Sequence, residues 1–314
     1  MKTKIWLALL TIYLAWGSTY LAIHYAVQSI PPFFMTGVRF LVAGLILYIW
    51  RRIAGDPAPT RHQWRSGVII GILLLVGGIG GLTWAEQFVP SGIAALIIAA
   101  TPLWVVLIEA VRRGGSLPTR LTTLGVALGI AGIFILINPL NSSSTQPGYS
   151  IIGVAPLLLA ALSWAIGSVY SHSADLPGSA LLSTGMQLLS GSAGAFMIGL
   201  LTGEGGRLDI SSISMSSLAG LAYLITVGSL VGFVCYTWLL RMAPTTLVVT
   251  YAFVNPMVAL LLGSLLAQEI LTARVFWAAP LILLAVVLIQ IRQPKPATNQ
   301  DLQKLNLLPV AKDY

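Results

Sequence analysis

The sequence predicts an all-α polytopic membrane protein of about ten transmembrane helices, arranged as two inverted five-helix repeats. Three observations lead there: an apolar composition, ten nearly uncharged runs of spanning length, and an internal repeat with a constant offset. Of the 314 residues, 57% are hydrophobic and 8% are charged, whereas ordinary soluble domains carry roughly 25% charged residues. Almost no segment before the tail is polar enough to form a solvated surface. The chain therefore calls for a lipid bilayer around it, and no separate soluble domain is expected. Its net charge of +8 raises the question of nucleic acid. The basic residues, however, are scattered between apolar runs and do not cluster with aromatics on one face, so no nucleic-acid partner is expected. Cys235 is the only cysteine, which rules out disulfides and cysteine-based metal sites within one chain. It reads as a small buried apolar residue. Neither a metal nor a cofactor is expected.

The ten runs lie near Ile5 to His24, Phe33 to Trp50, Gly67 to Trp84, Ser91 to Val111, Leu121 to Asn138, Ile151 to His172, Ala180 to Leu201, Met215 to Leu240, Thr245 to Ala267, and Val275 to Ile291. About twenty apolar residues cross a hydrocarbon core roughly 30 Å thick as a helix. The first run follows Lys2 and Lys4 in the manner of a signal peptide but continues through WGSTY without a small-residue cleavage site, so it is expected to remain as the first span.

Orientation follows from the basic residues. With a cytoplasmic amino terminus, the even-numbered turns and the tail carry Lys2, Lys4, Arg51, Arg52, Arg61, Arg65, Arg112, Arg113, Arg120, Arg241, Arg292, Lys295, Lys304 and Lys312 inside. Arg207 and Arg274 fall outside. Both termini are thus expected in the cytoplasm of a bacterial-type cell, with the multi-pass chain in its inner membrane. The uncharged connection NSSSTQPGYS divides the chain into a first repeat, 1–140, and a second, 149–292. The polar, proline-containing stretch 293–314 is expected to be a flexible cytoplasmic tail.

The repeat itself is visible without gaps. Aligning GLTWAEQFVPSGIAALIIAATPLWVVL with CYTWLLRMAPTTLVVTYAFVNPMVALL pairs Thr83 with Thr237, Trp84 with Trp238, Pro90 with Pro244 and Pro102 with Pro256, a constant offset (256 − 102 = 154). Trp16 and Trp164 are related more loosely, across a gap. A repeated unit with an odd number of spans enters the membrane from opposite sides in its two copies. The halves are then related by an axis in the membrane plane, as in many secondary transporters. Prolines at matched mid-span positions fit a kink, with a hinge or cavity role as open as a packing role.

The segments WGSTYLAIHYAVQSIPPFFMTGVRFLVAGLILY and LSWAIGSVY, with the paired segments ending AATPLWVVL and AFVNPMVALLLG, resemble EamA-type members of the drug/metabolite transporter superfamily. The resemblance covers Met1 to Arg292. It implies two EamA-like repeats around a central cavity and export of small metabolites, amino acids or drugs. A small-molecule substrate is the expected partner; the oligomeric state is left open.

Polar and aromatic groups within the spans are the candidate cavity residues. Arg39 stands several residues into the second span, where it can serve locally, by capping carbonyls or reaching the interface, or can attract an anionic substrate group. Asn255 precedes Pro256, and Thr101 takes the matched place before Pro102. Trp16, Tyr20, Trp84, Trp164, Tyr170, Tyr236, Trp238 and Tyr251 offer flat surfaces with hydrogen-bonding edges, suited either to a cavity for an amphipathic solute or to interfacial and helix packing. Pro102 and Pro256 are the candidate kinks for gating. Gly125, Gly129, Gly132, Gly191 and Gly194 read as sites of close helix approach.

The energy source is the least legible part. Proton coupling commonly uses a buried carboxylate or histidine. Glu86, near the outer end of its span, is the candidate, with protons as the coupling partner. Glu109 sits three and four positions before Arg112 and Arg113, a spacing for a local ion pair, and Glu269 reads as interfacial. No GxxxxGK[ST] loop is present, so hydrolysis of ATP by this chain is not expected. The competing classes are an intramembrane enzyme and a membrane assembly protein. The first would need a converging nucleophile and base or an HExxH motif, and the sequence has neither. An assembly protein would have no need of an inverted repeat with mid-span kinks.

Overall fold

The computed structural model describes residues 2–111, 118–137, 151–243 and 245–291. The connection NSSSTQPGYS, the expected tail 293–314, and the Arg112 and Arg113 partners expected for Glu109 lie outside them. The described residues form helices only: α1 (Lys2–Ala26), α2 (Pro32–Ile53), α3 (Arg61–Ile70), α4 (Gly81–Ala85), α5 (Ser91–Ala99), α6 (Thr101–Val111), α7 (Arg120–Ile137), α8 (Ile151–Ser171), α9 (Ala180–Leu201), α10 (Glu204–Arg207), α11 (Met215–Tyr223), α12 (Gly232–Met242), α13 (Thr245–Val248), α14 (Tyr251–Leu266) and α15 (Ala273–Ile291). Among them, 9 stretches are long and apolar enough to cross a membrane, and Tyr251–Leu266 is a shorter apolar helix. With α13 leading into that shorter helix, the ten expected spans are accounted for.

Two rods carry wide, π-helical segments. Gly71–Gly80 joins α3 to α4, and Leu224–Val231 joins α11 to α12. They fall at matched places, since Gly78 pairs with Gly232 (232 − 78 = 154). A widened ladder leaves carbonyls poorly served along the helix, and a side chain entering from a neighbour can satisfy one. Each wide segment receives such a donor from the opposite repeat: Ser163 Oγ donates to the Leu73 carbonyl at 2.7 Å, and Trp16 Nε1 to the Gly228 carbonyl at 3.0 Å.

The repeats interlock, with α2 antiparallel to α9 and α7 to α15, and with α1 parallel to α14. α2 lies along α9, α7 along α15, α1 against α11, α12 and α14, and α8 against α3, α4, α5 and α6. Glycine permits the closest of these approaches. A Cβ on Gly37 would stand 2.8 Å from the Phe196 ring, and one on Gly185 would stand 2.9 Å from the Tyr48 backbone nitrogen. These contacts are one contact seen twice, because a single offset carries both Gly37 to Gly185 and Tyr48 to Phe196 (185 − 37 = 148; 196 − 48 = 148). Such exchange is the signature of a twofold relation between inverted copies. Gly125 and Gly132 serve α7 in the same way, approaching Ala285 and Ile282 of α15, and Gly191 and Gly194 receive Leu75 and Val76. A cluster of aliphatic side chains that includes Ile23, Met35, Leu96, Ile97, Leu157 and Ile282 fills the centre.

The matched prolines are used differently. The helix is interrupted at Ala100, whose N–H turns back to the Ile97 carbonyl, and Pro102 then stands in the first turn of α6. Proline is tolerated there because its missing N–H would have no helical partner. The carbonyl four residues earlier, that of Ile98, accepts the Thr101 hydroxyl at 2.6 Å instead. In the second repeat the interruption falls at Val249 and Thr250, and Pro256 lies inside α14. The two prolines, expected as equivalent kinks, thus stand differently: Pro102 directly follows a helix interruption, and Pro256 lies within α14 beyond one.

Candidate functional site

Trp16 is the centre of the site. It is half-buried on α1, its Nε1 donates to the Gly228 carbonyl, and its indole rests on Gly232, where any Cβ would overlap it. Three rings from the second repeat surround it: Phe233 at 5.8 Å edge-on, Tyr236 at 5.2 Å tilted, and Tyr251 at 5.0 Å edge-on, measured between ring centres. Tyr251 and Tyr236 in turn meet edge-on at 5.9 Å. Edge-to-face pairs of this kind add about 0.5–1.5 kcal/mol each beyond the area they bury. Asn255 follows Tyr251 by one helical turn; it is 7% exposed, and its Oδ1 has no hydrogen-bond partner. Below the cluster the Tyr13 hydroxyl meets Thr250 Oγ1 at 2.5 Å, tying α1 to the interruption before α14.

A second polar group lies nearer the α1–α2 turn. Arg39 is 4% exposed; its Nε donates to the Ser229 hydroxyl at 3.1 Å, and its guanidinium carbon stands 5.1 Å from the Phe40 ring centre. Its hydrogen bond thus crosses to a wide segment of the opposite repeat instead of reaching the interface. Glu86 is 3% exposed at the end of α4, and neither of its carboxylate oxygens has a hydrogen-bond partner. It interacts electrostatically with Arg39 and with Tyr20. Tyr20 lies one turn along α1 from Trp16.

The remaining sequence candidates are dispersed. Trp84 meets Phe88 at a tilt, 4.9 Å between ring centres, with Phe88 itself exposed. Trp238 packs beside Leu9, Ile12, Leu239 and Val248. Tyr170 lies near the end of α8, where its carbonyl accepts the Ser173 N–H. Thr101 spends its hydroxyl on Ile98, and Glu269 caps α5, engaged with Ser91 and Gly92. Trp164 repeats the seating of Trp16, since a Cβ on Gly78 would meet its ring at 2.9 Å.

The neighbourhoods of the two tryptophans differ, however. The positions matched to Phe233, Tyr236 and Tyr251 are Ile79, Leu82 and Ile97 (233 − 79 = 236 − 82 = 251 − 97 = 154). The tryptophan on glycine is common to both halves and belongs to the fold, whereas the aromatic cluster exists in one half only. Phe233 and Ser229 were not singled out by sequence. Reading matched positions for departures from the repeat, instead of for agreement with it, is the signal that finds Phe233. Two clefts of about 290 Å³ and 170 Å³ lie elsewhere, one apolar between Trp50 and Cys235, the other beside Pro31 and Gln87.

The EamA-like transporter family model matches residues 3–138 and 151–291, nearly the whole described chain. The chain belongs to the EamA-like transporter family. A relative named as an uncharacterized inner membrane transporter, YedA, of Escherichia coli K12 is 36% identical over 284 residues, covering 90% of this chain and 89% of that protein. A probable amino-acid metabolite efflux pump of the same organism is 27% identical over 285 residues, covering 88% and 91%. A solved structure shares the fold, with a TM-score of 0.59, 21% identity, and coverage of 93% of this chain and 98% of its own. Membership in the EamA-like family makes the protein a multi-pass membrane transporter of the drug/metabolite type.

Proposed function

We propose that this EamA-like protein exports a small metabolite or amino acid by alternating access, through a cavity between the repeats lined by Trp16, Tyr20, Tyr236, Tyr251, Asn255 and Arg39. The observation that carries this reading is the one-sided aromatic cluster. Packing symmetry requires a tryptophan on glycine in each repeat, but it does not require Phe233, Tyr236 and Tyr251 where the other repeat has aliphatic side chains. An unpartnered Asn255 oxygen beside the rings offers a substrate donor its acceptor. Arg39 supplies the positive charge for an anionic substrate group, and Glu86, buried without a hydrogen-bond partner, is the group to exchange a proton as access alternates. The name of the efflux-pump relative supports amino-acid metabolites as the first substrates to try.

The repeats function as units 1–140 and 149–292, with both termini in the cytoplasm, a reading supported by the basic residues of the even-numbered turns. Flux of amino acids and small metabolites by purified protein in proteoliposomes is the test. Movement of an unchanged solute supports export. Chemical conversion without movement would establish an intramembrane enzyme, and absence of both across the panel would favour an assembly role. Impermeant thiol reagents in intact cells should reach Ser143→Cys and not Ala58→Cys; the reverse pattern would invert the topology.

A further inference from the structure

Two membrane helices begin directly after proline and have no side-chain cap: α2 after Pro31 and α5 after Pro90. Their first N–H groups need acceptors from elsewhere. For α5 the acceptor is Glu269, in the turn between α14 and α15 of the opposite repeat. Its Oε1 accepts the Ser91 N–H and hydroxyl, both at 2.7 Å, and its Oε2 accepts the Gly92 N–H at 3.1 Å. A carboxylate at a helix N-terminus also gains from the helix dipole. The local backbone is shaped to deliver it. Gln268 takes a left-handed conformation (φ 54°), uncommon outside glycine, and the Glu269 N–H closes on the Gly263 carbonyl at 3.0 Å. Gly263 leaves the necessary room, since a Cβ there would run into the Glu269 carboxylate and come within 3.1 Å of Ser91 Oγ.

For α2 the acceptor is Glu204, fully buried, which takes the N–H groups of Phe33 and Phe34 at 3.0 Å. The two acids differ in what stands at the other end of the bundle. Asp56 follows α2 as Glu204 follows α9 (204 − 56 = 148), and the hydroxyl of Ser179, the N-cap of α9, donates to Asp56. An acid therefore stands near each end of the α2–α9 pair, Glu204 on the first N–H groups of α2 and Asp56 against the Ser179 hydroxyl. At the place matched to Glu269 the sequence has Gly115 (269 − 154 = 115), which carries no carboxylate. The carboxylate that ties α5 is thus not repeated in the sequence of the other half.

We propose that Glu269 is a one-sided access latch: its grip on Ser91 and Gly92 holds the bundle closed at the end where α4 meets α5, while the α2–α9 pair moves as one unit. With no carboxylate at the matched position of the other repeat, the resting population favours closure at this end. Glu86, at the C-terminus of α4 on the turn leading into α5, is buried near this end. The inference rests on the alternating-access reading, but its test needs no substrate, so failure of transport and failure of the latch are told apart.

A reporter is available in Thr83, fully buried on α4. Thr83→Cys in a Cys235→Ser background is labelled with a charged methanethiosulfonate on protein in nanodiscs, with folding checked by size exclusion. Labelling should be slow in the parent. It should rise roughly tenfold, one decade of the closed-to-open ratio, in both Glu269→Gln and Gly263→Ala. The second variant displaces the carboxylate without changing charge. Glu204→Gln and Asp56→Asn should leave the rate unchanged. An unchanged rate in folded Gly263→Ala and Glu269→Gln would overturn the latch, and an equal rise in Glu204→Gln would overturn its one-sidedness.

Discussion

Trp16 donates its indole N–H to the Gly228 carbonyl at 3.0 Å, so a side chain of the first repeat completes the ladder of a wide helix in the second. Gly232 admits the ring as Gly78 admits that of Trp164. Adding a methyl group at either glycine overpacks the seat, at a cost of about 1–3 kcal/mol. Gly232→Ala and Gly78→Ala should both lower the melting temperature in detergent, but only Gly232→Ala should also impair substrate flux, because only its tryptophan belongs to the aromatic cluster. Equal losses of flux at equal stability would assign both tryptophans to packing.

Arg39 provides the sharpest test of substrate charge. Arg39→Gln keeps a donor for the Ser229 hydroxyl while removing the positive charge. Transport of carboxylated solutes should fall by about tenfold or more, the scale of a charged hydrogen bond of about 1.5–3 kcal/mol, with neutral solutes little affected. A uniform loss for both classes in folded protein would make Arg39 structural.

If Glu86 carries the coupling proton, flux in the parent should vary with the imposed pH gradient and Glu86→Gln should not respond to it. Glutamine preserves the shape of the buried side chain and cannot exchange a proton. Flux that follows the gradient equally in Glu86→Gln would move coupling to another group.

The two prolines should respond unequally. Pro102 sits in a first turn whose displaced carbonyl, at Ile98, is already served by Thr101. Pro256 lies within α14, where alanine restores a helical N–H. Pro256→Ala should therefore stabilise α14 and slow flux with binding retained, whereas Pro102→Ala should change both by less than about twofold. Matching effects on cavity accessibility would restore the view of equivalent kinks.

Outside the membrane, Asp56 permits a prediction with a definite sign. Hydrogen bonding from Arg51 and then Ser179 holds its carboxyl down at about 2. A depressed carboxyl stabilises the fold at pH above the ordinary carboxylate value, about 3.9, and loses that contribution as pH falls through about 2. The melting-temperature difference between the parent and Asp56→Asn should be constant from about pH 5 to about pH 8 and shrink only in stronger acid. A difference that changes between pH 5 and 8 would show another titrating group in control.

Much of this protein is determined by composition and spacing. Uncharged runs of spanning length must become helices in lipid, because no water is present there to satisfy a bare backbone, and five such runs per repeat make the copies inverted. The offset that pairs Trp84 with Trp238 also locates Gly78 and Gly232, so the seats of both tryptophans were within reach of the sequence. What the tertiary structure alone decided lies across the boundary between the repeats. Periodicity along one helix cannot tell that Glu269 caps α5, that Ser229 meets Arg39, or that Trp16 reaches Gly228, since each pair is more than 170 positions apart in the chain. Nor can it separate Trp16 from Trp164: the two stand alike on glycine, and only the packing of α12 and α14 against α1 gathers three further rings around one of them.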